Sequence, residues 1–380
     1  MDRPRIVHLS SVHRAFDTRI FYREAKSIAK AGYDMVLILP HERDEVVDGV
    51  RIVAIPRPSG RRERMTRTAW QVYRRALKER AALYQFHDPE MIPVGILLKL
   101  SGKRVIYDVH ECVKDSTLNK MYISPLFRKP IAWAARLAEI VGTAFFDAIV
   151  AATPTIARQF PPARTTLVRN FPSSQDLPVA DFVPFAQRSL RAIYAGCIDE
   201  LYGLRQMIDA AALLPAMPQA AVTLCGSFDS PETEARGRQL PGWNRVSFLG
   251  FQNRARLAAL FAQAQAGLIV IPPAPNSIDS MPNKLFEYMA AGLPVVASDF
   301  PQWREIIDGC HCGLLVDPQN PQAIADAIQW LLDHRQEAEE MGGRGRQAVQ
   351  AKYNWQQEEG KLLSLYERIL GRRGHGSCAG

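Results

Sequence analysis

Between Asp279 and Gly292 the chain reads DSMPNKLFEYMAAG. Two carboxylates, Asp279 and Glu287, stand on either side of Pro282, eight positions apart. Proline suits the first turn of a helix, where its missing N–H would lack a partner anyway. Ser280 is expected to cap that turn, and Gly292 to end the helix before the β-type run from Pro294 to Ser298. Lys284 falls about three residues into the helix. Its ammonium and the open N–H groups of the first turn converge on one region, which suits a phosphate. A carboxylate such as Glu287 can accept two hydrogen bonds from a vicinal diol of the kind ribose offers, and Asp279 can hold a second set of hydroxyls. The chemistry is recognition of a ligand that carries both hydroxyls and negative charge. Gly196, Gly226 and Gly250 close strand-like runs in the same half of the chain, where a glycine either admits a ligand close to the backbone or serves a turn.

A second set of candidates lies at the ends of apolar runs in the first half. His87 and Asp88 follow residues 81–86, His110 and Glu111 follow 104–109, and Arg169 and Asn170 follow 166–168. Ligands of parallel sheets bind beyond the carboxyl ends of strands, although capping or a plain loop is the alternative for each pair. The loop SSVHRAFDTR, residues 10–19, follows the first run. Asp17 and Arg19 in it are candidates for contacting an acceptor or a phosphate, with a helix cap the equal alternative for Asp17. Cys310-His311-Cys312 resembles half a metal site, but no second ligand pair lies near it in sequence, so a surface turn is expected. No G-x-G-x-x-G follows the first strand, and neither a Walker A motif nor a D-x-D between apolar strands occurs. The pattern favours a metal-free nucleotide-sugar site over NAD or ATP chemistry.

These residues need a scaffold, and 380 residues suffice for two ordinary domains. Apolar strands alternate with helices throughout, which is the pattern of α/β domains with parallel, doubly wound sheets. The alternation lapses at residues 173–187 (SSQDLPVADFVPFAQ) and then resumes. The expected division is an N-terminal domain over 1–172, a linker over 173–187, a C-terminal domain over 188–355 and a closing helix over 356–370, with a mobile tail after Gly371. A long helix is expected over 125–146. Residue types are those of a globular protein, 47% hydrophobic and 23% charged, and no apolar run approaches the ~18 residues needed to cross a bilayer. No signal-peptide pattern opens the sequence, and six scattered cysteines do not make a disulfide framework, so the cytoplasm follows by default. Net charge is +8, concentrated from Arg57 to Arg80, where nine cations meet two acids on an amphipathic helical pattern. A solvated face, an anionic lipid surface and nucleic acid all fit that segment, in that order.

The spacing from Asp279 to Glu287, followed by the run from Tyr288 to Ser298 (YMAAGLPVVAS), resembles the E-x7-E region of the retaining glycosyltransferases of family four. The resemblance extends over nearly the whole chain. It takes in Tyr107-Asp108-Val109-His110-Glu111, the glycines at 226 and 250, the GLLVDP run at 313–318, and Tyr353-Asn354-Trp355. It implies the GT-B fold: two Rossmann-like domains whose parallel sheets face across a cleft, the C-terminal one binding the nucleotide sugar, and a final helix that crosses back to the N-terminal one. By resemblance, Glu287 binds the ribose, Asp279 the donor sugar, and His110 lies beside the reacting sugar. Gly196, Gly226, Asn283, Lys284 and Leu285 then belong to the donor side, and Asp17, Arg19, His87, Asp88 and Glu111 to the acceptor side. Catalysis is assigned to His110, Asp279 and Lys284, with no metal and no cofactor.

Three departures stand out. The first acid of the motif is Asp279, one methylene shorter than Glu. The family's Arg and Lys near the first C-domain glycines are replaced by Cys197 and Tyr202, so charge need alone points to Lys284, with Arg205, as the compensating cations. The Gly-rich loop after the first strand is replaced by residues 10–19. The expected function is transfer of a sugar from a nucleoside diphosphate sugar to a saccharide or lipid-linked acceptor, with retention, in polysaccharide or glycolipid synthesis. The expected location is cytoplasmic, with the segment from Arg57 to Arg80 as a peripheral contact to the inner membrane face, and nucleic acid is not the expected partner. A GT-B sugar-nucleotide epimerase and a silent sugar-nucleotide-binding protein remain as alternatives.

Overall fold

The computed structural model describes residues 3–118, 124–173, 183–216 and 221–371. The chain divides into two units, Met1–Asn170 with Trp355–Gly380, and Phe171–Asn354. Part of the expected linker and the tail beyond Gly371 lie outside the described residues.

The first unit holds β1 (Arg5–Leu9), β2 (Asp34–Pro40), β3 (Glu45–Val47), β4 (Val50–Ile55), β5 (Leu83–Phe86), β6 (Val105–Val109), β7 (Ala148–Ala151) and β8 (Thr165–Leu167). They pair in the order β3-β4-β2-β1-β5-β6-β7-β8, parallel except for β3 against β4. The strands read as apolar runs because both faces of the sheet are covered. Ile20, Phe21 and Ile28 on one face share a core with Trp355, Leu362 and Leu365 of the closing helix, Trp355–Leu370. Val72, Ala76, Val94 and Leu98, from the helices Ala69–Glu79 and Ile92–Leu100, fill the core on the other face.

The second unit holds β9 (Leu190–Ala195), β10 (Val222–Cys225), β11 (Val246–Phe248), β12 (Ala264–Ile269), β13 (Val295–Ser298) and β14 (Gly313–Val316), all parallel in the order β11-β10-β9-β12-β13-β14. Each unit therefore has one place where the strand order reverses: between β1 and β5, and between β9 and β12. A crevice opens at such a point because the two connections leave in opposite directions.

Several local expectations are revised. Val113–Leu118 and Pro231–Gln239 are helices that the sequence pattern does not announce. The second carries almost no apolar side chains and starts instead on a Ser230 cap, whose hydroxyl accepts from the Thr233 amide at 3.2 Å. The Cys310-His311-Cys312 stretch is a helix end, with His311 at φ +49° and Cys312 buried.

Candidate functional site

The second unit's strand-order reversal is where the helix Asn283–Ala290 begins. Pro282 is its N-cap rather than its first residue, with ψ 133°. Ser280 does not cap it: its hydroxyl donates to the Ser277 carbonyl at 2.7 Å, closing the preceding short turn, and its own carbonyl accepts from the Trp303 indole at 2.7 Å. Leu285, expected on the donor side, is fully buried, and its amide donates to the Pro282 carbonyl at 3.2 Å. Its contribution is to the core, since neither side chain nor N–H is open. Asp279 is exposed on the turn before the helix; Asn283, Lys284 and Glu287 are half-buried on it.

Lys284 is the centre of this region. Its ammonium lies 5.2 Å from the Tyr194 ring centroid and 5.1 Å from that of Tyr202, distances at which a ring face attracts a cation. Its stem runs along Gly196, where an added Cβ would come within 2.3 Å of the Lys284 Cε. Burial pushes the ammonium below the usual lysine range, and Glu287 one turn on pulls in the opposite direction. Gly196 (φ +148°) and Gly226 (φ +145°) themselves meet backbone to backbone: a Cβ on Gly226 would lie 1.7 Å from the Gly196 carbonyl oxygen. Both positions exclude a side chain, one because of a neighbouring loop and one because of Lys284. Tyr202, which stands where a cation was expected, helps hold the lysine that supplies one. Arg205 is 55% exposed, with its guanidinium 4.0 Å from Asp209.

The reversal in the first unit gathers a buried polar network. Asp108, at the end of β6, lies 3.0 Å from His87 Nδ1 and 3.0 Å from His110 Nε2, and accepts from Arg19 Nη2 at 2.9 Å. His87 Nε2 is 3.1 Å from His8 Nδ1, and His8 Nε2 is 2.9 Å from the Tyr366 hydroxyl. That hydroxyl is 2.6 Å from the Gln85 amide, which is 2.9 Å from the Glu24 carboxyl. Arg19 also meets Glu24 at 2.9 Å and the Val168 carbonyl at 2.9 Å. Arg19 is thus committed to the interior and is not an acceptor contact, which corrects that expectation. Asp17 is the helix cap, accepting from the amides of Arg19 (2.8 Å) and Ile20 (3.0 Å). Asp88 is buried and holds the loop after β1 through the Ser11 amide at 2.6 Å and the Ser10 hydroxyl at 2.9 Å. His110 and His13 are the members that reach solvent, with side chains 20% and 28% exposed, and Glu111 is exposed beside them. His8, His13, Glu24, Gln85 and Asp108 are the residues that sequence reasoning missed; a histidine inside the first apolar strand was the available signal.

The proton distribution follows from the environment. Burial lowers His8 well below the usual histidine range and His87 to about 4, so both are neutral. Burial alone would raise Asp108, but Arg19 first and then His110 hold it well below the usual carboxylate range. Burial and the Asp108 charge push Glu24 well above it. The Tyr366 hydroxyl donates to the Gln85 amide oxygen and the Gln85 amide nitrogen donates to the Glu24 carboxyl, so the Tyr366 oxygen is left to accept from His8 Nε2. Stability then depends on pH in a defined way. Unfolded histidines take up protons below about 6.5, and the folded His8 and His87 resist this. Stability is therefore present above that pH and is lost as pH falls from about 6.5 toward the folded value of about 4. Urea midpoints measured from pH 7.5 to 4 are expected to fall, and His87→Gln to flatten the fall.

His8, Glu24 and His87, and His87, Asp108 and His110, also cluster closely enough to hold a metal ion. In the first triad, His8 and His87 already satisfy each other. In the second, Asp108 is neutralised by Arg19. Hydrogen bonding accounts for both triads.

The sequence matches the family described as Glycosyl transferases group 1 over residues 182–348 and the Glycosyl transferase 4-like domain over residues 18–170. The chain belongs to the family-four glycosyltransferases. Among relatives, the D-inositol 3-phosphate glycosyltransferase of Corynebacterium urealyticum is 30% identical over 186 residues, 46% of this chain and 42% of that protein. The chain spans about half the length or less of the curated relatives it matches, from 20 to 50%. The sucrose-phosphate synthase structure from Thermosynechococcus elongatus superimposes with a TM-score of 0.76 at 21% identity, covering 97% of this chain and 100% of that one. The Anabaena HepE structure in complex with UDP-glucose does so with a TM-score of 0.72 at 15% identity, covering 96% and 100%. Both likenesses concern the fold. This glycosyltransferase has the two parallel-sheet units of GT-B proteins, and no helix among its described residues is long and apolar enough to cross a membrane.

Proposed function

We propose that this glycosyltransferase moves a sugar from a nucleoside diphosphate sugar to an acceptor hydroxyl with retention at the anomeric carbon, in polysaccharide or glycolipid synthesis. The observation that carries the reading is the Lys284 ammonium, held between two tyrosine rings and against Gly196 at the strand-order reversal, with Glu287 on the same helix. Glu287 binds the ribose diol and Asp279 the transferred sugar. Lys284 and the helix start meet the charge that develops on the leaving diphosphate, in a metal-independent reaction. His110, oriented by Asp108, stands beside the reacting sugar, and the leaving phosphate helps accept the acceptor's proton on the same face. Glu111 and His13 are the open groups for the acceptor. A lipid-linked acceptor at an anionic membrane surface fits the basic segment from Arg57 to Arg80.

Thermal unfolding with UDP-, GDP- and dTDP-sugars tests the donor assignment. The named ligand of the Anabaena protein puts UDP-sugars first. A donor at 100 times its Kd stabilises the folded state by about 2.7 kcal/mol, so one base class is expected to raise the melting temperature and the others not. Glu287→Ala is expected to abolish the rise. No shift with any donor overturns the proposal. Sugar epimerised when donor is incubated alone would replace transfer with isomerisation.

A further inference from the structure

The helix Pro125–Thr143 in the first unit is turned inside out. Its inward stripe is Ala132, Ala135, Arg136, Glu139, Gly142 and Thr143, small or charged. Its outward face carries Leu126, Phe127, Trp133, Leu137, Ile140 and Val141, each between 49 and 77% exposed. The inward contacts hold this orientation. Gly142 lies against Ile92, so that a Cβ there would come within 2.4 Å of the Ile92 Cγ2. Glu139 is buried and receives Arg136 (2.5 Å) and the Tyr107 hydroxyl (3.2 Å), and Arg136 also donates to the Gln159 carbonyl at 2.7 Å. Rotating the helix to bury its leucines would break this set, leaving buried partners unsatisfied. A contiguous apolar face of this size marks an interaction surface.

Charge decides the occupant. Apart from the inward Arg136–Glu139 pair, the helix carries two cations, Arg128 and Lys129, and no acid. Lys114 adds its ammonium 4.4 Å above the Trp133 ring. A second copy of the same face would bring these cations together with no exposed acid of the helix to pair with them. An anionic bilayer surface answers both features at once, since Trp, Phe and Leu enter the acyl boundary while Lys and Arg meet headgroup phosphates. We infer that the 125–143 helix is an in-plane membrane anchor, inserted by its outward face into anionic phospholipid. This deepens the lipid-acceptor reading: insertion comes from this helix, whereas the cations from Arg57 to Arg80 supply attraction from a distance.

The test is co-sedimentation of the full chain with large vesicles of phosphatidylethanolamine containing 30% phosphatidylglycerol, and with pure phosphatidylcholine, at physiological salt. Wild type is expected to bind the anionic vesicles. Trp133→Glu and Leu137→Glu, both on the exposed face, are expected to weaken binding at least tenfold while keeping the donor-induced melting shift. Trp133→Phe is expected to sediment like wild type but to lose the blue shift of tryptophan emission. Binding unchanged in the two glutamate variants overturns the inference. If binding instead vanishes only on Arg74→Glu with Arg75→Glu, the membrane reading stands and the anchor does not. A dimer in light scattering that Leu137→Glu converts to monomer assigns the face to a second copy and also overturns it.

Discussion

Replacing Lys284 by alanine is expected to lower kcat roughly 10²–10³-fold, the usual cost of removing one donor that meets charge developing in a transition state. The expectation rests on the lack of substitutes. Cys197 and Tyr202 occupy the positions where the family resemblance implies cations, and Arg205 is exposed near Asp209. It also rests on placement, because Lys284 is already desolvated, and a cation taken from water before the substrate arrives need not be reorganised during the reaction. Arginine is not expected to rescue the variant, since its fork is larger than the space between Gly196 and the two rings. A double-mutant cycle sharpens the measurement. Gly196→Ala displaces the Lys284 stem and should lower kcat by a comparable factor. Combined with Lys284→Ala it should add little, because both changes remove one interaction. Initial rates at saturating donor and calorimetric donor affinities read this out. Unchanged kcat in Lys284→Ala would remove the lysine from the mechanism.

Asp108→Asn is expected to be the most destabilising conservative change in the first unit. The carboxylate accepts from Arg19, His87 and His110, and all but His110 are essentially buried. The amide leaves Glu24 as the carboxyl opposite the Arg19 charge, and Glu24 would have to ionise in a fully buried position to pair it. Breaking a buried pair by removing one partner costs about 3–5 kcal/mol. In a unit of this size that corresponds to a fall of roughly 6–20 °C in its thermal transition. On the proposed donor assignment, donor-induced stabilisation comes from the other unit and should survive, which separates a local collapse from a general failure to fold. Transfer should also drop, because His110 loses the group that orients it. A melting curve like that of wild type would show that the network contributes little. The pH dependence of stability should change in the same variant, since removing the negative charge makes protonation of His87 harder still.

The strands were legible because their signal is local. Asp34–Pro40 and Val50–Ile55 are apolar runs covered on both faces, and such runs announce themselves wherever they occur. The helix at Asn283 was legible for the same reason, as were its two acids and its lysine. Local pattern failed where local pattern was weak. Pro231–Gln239 has no apolar stripe, and the three-residue β3 is an antiparallel edge too short to alternate visibly. The helix Pro125–Thr143 failed differently. Its period was readable and its length nearly so, but not which face turns inward, because that was settled by Gly142 against Ile92 and by the Glu139 pair.

The candidate site divides along the same line. His87, His110 and Glu287 stood out by residue type and by position near predicted element ends. Asp108 is visible in the sequence only as part of a motif, and Glu24 and Gln85 carry no local signal that separates them from ordinary helix and strand residues. His8 and Tyr366 are 358 positions apart and meet only because the closing helix packs beside β1. The sequence by itself determined the two α/β units, the family and the chemical character of the Asp279–Gly292 stretch, since each depends on residues within a turn or two of one another. The tertiary structure alone decided that Arg19 serves the interior, that Tyr202 holds Lys284, and which histidines stay neutral. Those outcomes depend on burial and on partners brought together by strand order, and neither is written in the spacing of neighbouring residues.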